Sequence, residues 1–359
     1  MKEITFFICS MSIGGAEHQL KDLARMLVDK KYKISIVTFS DVEDHYELDK
    51  RICRIRLAPH KSRIIKFWSI TKFMIFNHCD KLVTFGNRES KLALLGMFLN
   101  PFKKYIVGER NFTIGKETCL QKFINALIFF RAQYIVPNSK SQAEYIKSHY
   151  RGVKGKVYPI HNYTDLTHYS QMESPHNEVI KIGIFARFTE QKNCNRFVNV
   201  VKKLKEKGLS FEIEWFGNKY IKGIDNPEYL EMKRLVEVQQ LQSFLHLKDL
   251  VKDVISEMSR FDAIALPSLY EGFSNSISEA ICCGKPMLVS DVSDNSVMVK
   301  NGINGFLFDP LDEDAMVAAF EQFLKLDSLE RKKMENESRR IAEDLFDAEC
   351  FVSKYMRLF

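Results

Sequence analysis

The sequence lacks any Cys-x-x-Cys pair and any cysteine and histidine spacing suited to a metal. Its eight cysteines, Cys9, Cys53, Cys79, Cys119, Cys194, Cys282, Cys283 and Cys350, are scattered. In a chain this long, scattered cysteines read as reduced thiols and not as a disulfide framework. No stretch approaches the ~20 unbroken apolar residues of a membrane-spanning helix. The opening residues, Met1-Lys2-Glu3-Ile4-Thr5-Phe6-Phe7, have neither the long apolar region nor the cleavage site of a secretory signal. A cytoplasmic location is therefore expected. Neither GxGxxG nor GxxxxGK[ST] occurs, so dinucleotide-dependent redox chemistry and P-loop phosphoryl transfer lack their usual support.

What is present is a chain of 359 residues, 45% of them hydrophobic, enough for two α/β cores of roughly 150–200 residues each. Short β-rich runs alternate with helical periods: 4–9, 34–39, 81–85, 105–107 and 134–136 read as strands, with helices over 16–29 and from about Ser139. The alternation restarts after a polar, proline-containing stretch at 165–178. Strands are expected at 179–185, 211–216, 263–266 and 286–289, a helix at 194–207, and a helical end from about Asp312. Alternation of this kind calls for parallel sheets with right-handed crossovers. The expected domains are 1–170 and 178–344, with a final helix at about 345–359 packing back on the first.

Charge is unevenly divided. Residues 1–176 carry 28 Lys and Arg against 16 Asp and Glu, a formal +12, and the remainder carries −5. A basic half suits an anionic partner such as a membrane surface, a lipid phosphate or nucleic acid, or is simply a solvated basic surface. Two segments in that half, 61–76 (with Lys61, Arg63, Lys66, Trp68 and Lys72) and 120–130 (with Phe123, Phe129 and Phe130), mix bases or aromatics with aliphatics. Both read either as amphipathic helices lying on a bilayer or as core helices with a wet face.

Three segments carry chemistry. In the first, a buried strand ends at Pro267, a loop contains Glu271, and a helix begins near Asn275 or Ser276 with Glu279 about one turn inside. A helix start offers free N–H groups and the positive end of a dipole to a phosphate, and carboxylates accept strongly from sugar hydroxyls. In the second, Arg187 and Lys192 follow the first strand of the second half, where ligands of open α/β sheets bind. Two cations there suit a diphosphate leaving group. In the third, Gly14 and Gly15 lie between the first strand and first helix and let backbone approach a ligand. Taken singly, each is also compatible with a plain cap, a solvated loop or a tight turn.

Together these segments resemble the family 4 retaining glycosyltransferases, also called glycosyl transferases group 1. Glu271 and Glu279 match the family's E-x7-E motif, Arg187 and Lys192 its diphosphate-facing cations, and Gly14-Gly15 its donor-binding N-terminal glycine loop near the donor phosphate. Val136-Pro137-Asn138-Ser139, His161-Asn162-Tyr163-Thr164-Asp165 and Asn301-Gly302-Ile303-Asn304-Gly305-Phe306-Leu307-Phe308 resemble the segment before the domain crossover, the hinge-proximal Asn-x-x-Asp and the late NGxxGFL turn. The resemblance implies a GT-B fold, two Rossmann-like domains facing each other across a cleft. It implies a nucleotide sugar held mainly by the C-terminal domain, Glu279 on the ribose, and Glu271 on the donor sugar. The backbone of Gly272, Phe273, Ser274 and Asn275 would line sugar and phosphate, with Arg187 and Lys192 on the diphosphate in place of a metal. It implies domain closure and same-face attack by the acceptor hydroxyl. Many relatives carry a His after a middle N-terminal strand; here that stretch reads Val107-Gly108-Glu109-Arg110-Asn111. Glu109, Arg110 and Asn111 are accordingly expected on the acceptor side.

The donor is expected to be a UDP-sugar and the acceptor a glycan or lipid-linked glycan of bacterial surface polysaccharide synthesis. The enzyme would be metal-independent and peripheral on the inner membrane face. Rival readings are a GT-B sugar-nucleotide epimerase and a non-catalytic glycosyltransferase-like subunit. Nucleic-acid binding is disfavoured, because the aromatics follow core periodicity and form no stacking platform.

Overall fold

The computed structural model describes residues 2–12, 14–40, 42–57, 62–110, 117–171, 179–221 and 223–359. Asn111 and Lys61 lie outside the described residues. The chain forms two compact units, Met1–Tyr163 with Ala348–Phe359, and Thr164–Asp347.

The first unit runs β1 (Glu3–Ile8), α1 (Gly15–Asp29), β2 (Lys33–Thr38), β3 (Cys53–Arg56), α2 (Arg63–Phe76), β4 (Lys81–Phe85), α3 (Asn87–Leu99), β5 (Lys104–Glu109), α4 (Cys119–Arg131), β6 (Tyr134–Pro137) and α5 (Lys140–His149). Its six strands are parallel in the order β3-β2-β1-β4-β5-β6. Phe7, Val37, Leu82, Tyr105, Val107 and Ile135 from the strands meet Ile70, Met74, Met97, Ile128 and Phe129 from α2, α3 and α4 in one buried cluster. Each such side chain contributes about 1.5–3 kcal/mol by leaving water.

The second unit runs β7 (Ile180–Phe185), α6 (Cys194–Glu206), β8 (Phe211–Phe216), a hairpin β9 (Tyr220–Ile221) and β10 (Ile224–Asp225), α7 (Pro227–Val238), β11 (Leu245–Lys248), α8 (Val254–Met258), β12 (Ala263–Leu266), α9 (Asn275–Cys282), β13 (Met287–Ser290), α10 (Asn295–Met298), β14 (Gly305–Phe308), α11 (Glu313–Leu324) and α12 (Ser328–Leu345). The last helix, α13 (Ala348–Met356), belongs to the first unit, where Phe351 stacks on Tyr163 at 5.4 Å. The second sheet is also parallel, in the order β11-β8-β7-β12-β13-β14. Counted within its unit and without the hairpin, this repeats the first unit's order. Both are the doubly wound Rossmann arrangement, in which strand order reverses once near the middle. The two-domain Rossmann-like GT-B fold is thus the fold of this chain.

Five strands escape a reading by hydrophobic runs, the two of the hairpin and three in the six-stranded sheets. β3 and β11 are short edge strands, and β14 occupies the second half of what reads as a glycine turn. Gly305 is required there: at φ +158 it sits so close to β13 that a Cβ would lie 2.0 Å from the Met287 carbonyl oxygen.

The segments 61–76 and 120–130 form helices that each pack one side into the core and expose apolar residues on another. α2 buries Ile70 and Met74, and α4 buries Ile128 and Phe129, yet Ile64, Ile65, Trp68 and Phe76 on α2 and Leu120, Phe123 and Phe130 on α4 are exposed. Among the described residues, no helix is long and apolar enough to cross a membrane.

Candidate active site

In the second unit the strand order reverses between β7 and β12, so the loops leaving their carboxyl ends diverge and frame a crevice. Those loops carry Arg187 and Lys192 after β7, and Glu271 through Asn275 after β12. They are stitched together: the Leu269 N–H donates to the Gln191 carbonyl at 2.8 Å, and Gln191 Nε2 donates to the Tyr270 carbonyl at 2.9 Å. The stitching brings Lys192 Nζ to 2.5 Å from Glu271 Oε1, both side chains nearly buried. An ion pair so shielded holds each partner in place. Arg187 is exposed and, among the described residues, makes no hydrogen bond or ion pair.

The helix after this loop, α9, begins at Asn275 as expected; its N-cap is Ser274, which makes no side-chain cap bond. Ser274 instead uses its carbonyl to accept from Ser278 N–H and Oγ at 3.1 and 2.8 Å. The first-turn amides of α9 are left without a side-chain cap, and its first turn carries no acid. Ser276 Oγ donates to the Phe185 carbonyl at 3.1 Å, pinning the helix start to the end of β7. Phe273 is buried against Phe346, which fixes the loop containing Gly272. Glu279, one turn in, is half-buried, and burial pushes its carboxyl up to about 7. The neighbouring Tyr169 opposes that rise.

The first unit reverses between β1 and β4. Gly14 is the N-cap of α1 and Gly15 its first residue, at the carboxyl end of β1. A Cβ on Gly14 would lie 2.2 Å from Glu17 Oε2, because that carboxylate folds back over the helix start. Glu109 ends β5 fully enclosed, with Asn87 Nδ2 donating to both its oxygens at 3.3 Å; burial pushes its carboxyl up to about 7. Arg110 lies over the Phe85 ring at 4.0 Å and donates to the Tyr355 hydroxyl at 2.6 Å and to Asn162 at 3.4 Å. That guanidinium ties α13 to the first unit.

Gln191 was not among the residues singled out by sequence, and Ser276 was named only as a helix start; a Gln beside Lys192 and a Ser after an N-cap carry no signal of their own. Among the described residues, no group of three or more His, Cys, Asp or Glu could hold a metal ion.

Two parallel sheets of this strand order are the arrangement of the GT-B fold. Residues 170–341, nearly all of the second unit, match the family described as Glycosyl transferases group 1. Over 96% of this chain and 95% of the relative, it is 21% identical to the N-acetylgalactosamine-N,N'-diacetylbacillosaminyl-diphospho-undecaprenol 4-alpha-N-acetylgalactosaminyltransferase of Campylobacter jejuni. A second Campylobacter jejuni enzyme, a GalNAc-alpha-(1->4)-GalNAc-alpha-(1->3)-diNAcBac-PP-undecaprenol alpha-1,4-N-acetyl-D-galactosaminyltransferase, is 22% identical over 100% of this chain and 98% of its own. Among solved structures, Anabaena HepE in complex with UDP and glucose superposes with a TM-score of 0.84 at 17% identity, covering 100% of this chain and 99% of that one. The chain is a glycosyltransferase.

Proposed function

We propose that this enzyme moves a sugar, with retention of configuration, from a uridine-diphosphate donor to a lipid-diphosphate-linked glycan in bacterial surface polysaccharide synthesis. The observation that carries the donor half is the Lys192–Glu271 pair at the switch point, beside the unpartnered Arg187 and the uncapped start of α9. The acceptor class is supported by the two undecaprenol-diphosphate enzymes to which the whole chain is similar. The uridine base is supported by the UDP-bound likeness.

In this reading the donor diphosphate takes Lys192 and Arg187 as counter-ions and rests against the α9 amides. Lys192 exchanges Glu271 for the diphosphate, and Glu271 turns to the sugar hydroxyls. Glu279 accepts from the ribose. The bond from the anomeric carbon to the diphosphate oxygen breaks, the acceptor oxygen bonds to the same face, and its proton passes to the departing oxygen. No metal is needed, because two cations and a helix start neutralise the leaving group. In the first unit, Glu109 and Arg110, at the carboxyl end of β5, are on the acceptor side. Exposed Ile64, Ile65 and Trp68 on α2 and Leu120 and Phe123 on α4, in a unit with a formal charge of +15, suit the anionic inner face of a membrane.

The test is transfer itself. A panel of UDP-, GDP- and ADP-sugars is offered with undecaprenyl-diphosphate-linked oligosaccharides, and products are read by mass and by anomeric NMR coupling. One UDP-sugar giving a product of unchanged anomeric configuration is expected. Inversion, or interconversion of the nucleotide sugar without any acceptor, would overturn the reading, the latter in favour of an epimerase.

A further inference from the structure

The amino edge of the first sheet holds a cavity that the chemistry above leaves unused. In open α/β sheets the reaction's ligands bind at the opposite edge, outside the carboxyl ends of the strands. β4, β5 and β6 begin at the amino edge with Lys81, Lys104 and Tyr134. Beside Tyr134 lies a cavity of about 330 Å³, walled by Tyr134, Tyr158 and Pro159 and by Lys354, Arg357 and Leu358 from the end of α13 and just after it. All of these residues belong to the first unit. The rings of Tyr134 and Tyr158 meet edge to face, with centroids 5.4 Å apart. The Tyr158 hydroxyl donates to the Gly155 carbonyl at 3.2 Å, which fixes the ring while 43% of the residue stays exposed. A fixed, open ring offers a flat surface to another ring.

The charge around this cavity has one sign. Lys354 and Arg357 are exposed, and among the described residues their side chains make no hydrogen bond or ion pair. The carbonyl end of α13 offsets part of this, but a helix end supplies only about half an elementary charge against two cations. Lys81 adds a third. It is buried, and its Nζ lies 5.4 Å from the centroid of the Tyr134 ring. Its acceptors are the Leu358 carbonyl and, at 3.4 Å, Gln133 Oε1, neither of them a carboxylate. Burial, then Lys104 and Lys2, hold its ammonium below the ordinary lysine range. Lys2 donates to the Phe359 oxygen at 2.9 Å, so that oxygen is already taken. No residue lining the cavity is acidic. A buried ammonium without a carboxylate is costly, and an anion in the adjoining cavity offsets that cost.

We propose that this cavity binds a small ligand made of a flat ring and a phosphate group, at a site separate from donor and acceptor. That chemistry is shared by nucleoside monophosphates and aromatic phosphate esters. The ring stacks on Tyr158, and the phosphate takes the Arg357 fork with the Lys354 ammonium beside it. Ligand pockets span about 300–1,000 Å³, so this one has room for a single ring with its phosphate and little more. Its walls also carry both chain connections between the units. Residues 158–160 lead to the boundary after Tyr163, and α13 follows the return after Asp347. An occupant therefore ties together, within the first unit, the two segments from which those connections leave.

The experiment uses the full chain and phenyl phosphate as the probe, with inorganic phosphate and phenol as its two halves. Binding is read by calorimetry, and melting temperatures check that each variant is folded. Wild type is expected to bind phenyl phosphate roughly tenfold or more tighter than either half. Replacing both free cations, Lys354→Met with Arg357→Met, should weaken phenyl phosphate roughly tenfold at an unchanged melting temperature, since both side chains are exposed. Tyr158→Ala should bring phenyl phosphate down to the affinity of inorganic phosphate. Arg187→Ala, at the donor edge of the other unit, should not alter binding of the probe. No binding of phenyl phosphate at millimolar concentration would overturn the proposal. Binding that survives loss of Lys354 and Arg357, or that disappears in Arg187→Ala, would put the probe elsewhere and overturn it as well. Equal affinity for phenyl phosphate and inorganic phosphate in wild type would remove the ring from the ligand and the proposal with it.

Discussion

The two units share one strand order and differ at the edge where ligands bind. In the first unit both helices at the switch point begin with a glycine N-cap followed three residues later by a glutamate: Gly14 and Glu17, Gly86 and Glu89. In each, a Cβ on the glycine would lie 2.2 Å from the glutamate oxygen, so the helix start is already covered by its own carboxylate. Glu89 also accepts from the Cys9 N–H at 3.0 Å, and burial pushes Glu17, Glu89 and Glu109 all upward. In the second unit the matching helices, α6 and α9, have neither a side-chain cap nor an acid in the first turn, and Lys192 and Arg187 stand beside them. One edge is closed to anions and the other is open to them.

Whole-unit charge runs the opposite way. The first unit has 30 Lys and Arg against 15 Asp and Glu, a formal +15; the second has 23 against 31, a formal −8. Net charge therefore says little about which unit takes a diphosphate. It says more about the outer surface, where the basic unit also exposes Trp68 (58%) and Phe123 (61%).

The largest effect expected is from breaking the cationic edge. Lys192→Met leaves Glu271 charged, nearly buried and unpaired, so transfer should fall about 10²–10³-fold and stability by about 3 kcal/mol. Initial rates and urea midpoints measure the two. Arg187→Ala sharpens the contrast, since an exposed, unpartnered side chain can be lost without structural cost. Transfer should drop about 10–100-fold with a melting temperature unchanged within error, which separates a binding cation from a structural one.

How much of this could be read from sequence follows from the physics of each segment. The short apolar runs of β12 and β13, and the Glu271 and Glu279 pair on either side of a helix start, are local signals. The cations Arg187 and Lys192 are local too. β3, with the sequence Cys53-Arg54-Ile55-Arg56, hid because an edge strand needs only one buried side and its arginines pair with Asp44 across a loop. β14 hid because Gly302 and Gly305 read as turn residues, whereas Gly305 is glycine for close approach to β13. The folding back of Glu17 and Glu89 onto glycine N-caps three residues earlier is local, but Gly-x-x-Glu is legible only once the helix start is known.

Smaller effects test the first unit. Trp68→Ala with Phe123→Ala should reduce sedimentation with anionic vesicles roughly tenfold while transfer to a water-soluble acceptor analogue is unaltered. An unchanged vesicle partition would remove the membrane face from the account. The smallest effect concerns Glu109. Its folded carboxyl titrates near 7 against an ordinary 4.5, so the native state holds the proton more tightly between those values. Stability from this group is then present below about pH 4.5 and is lost as pH rises toward 7. Glu109→Gln should flatten that decline, seen as urea midpoints at pH 5 and pH 8 that lie closer together than in wild type.

The most direct test of the open cationic edge compares UDP with uridine by calorimetry in wild type and Lys192→Met. The account predicts that wild type binds UDP far more tightly than uridine, that the difference shrinks as salt rises, and that Lys192→Met removes most of it while uridine affinity stays the same. Equal affinity for UDP and uridine in wild type, or a preference for UDP that survives loss of Lys192 undiminished, would contradict it.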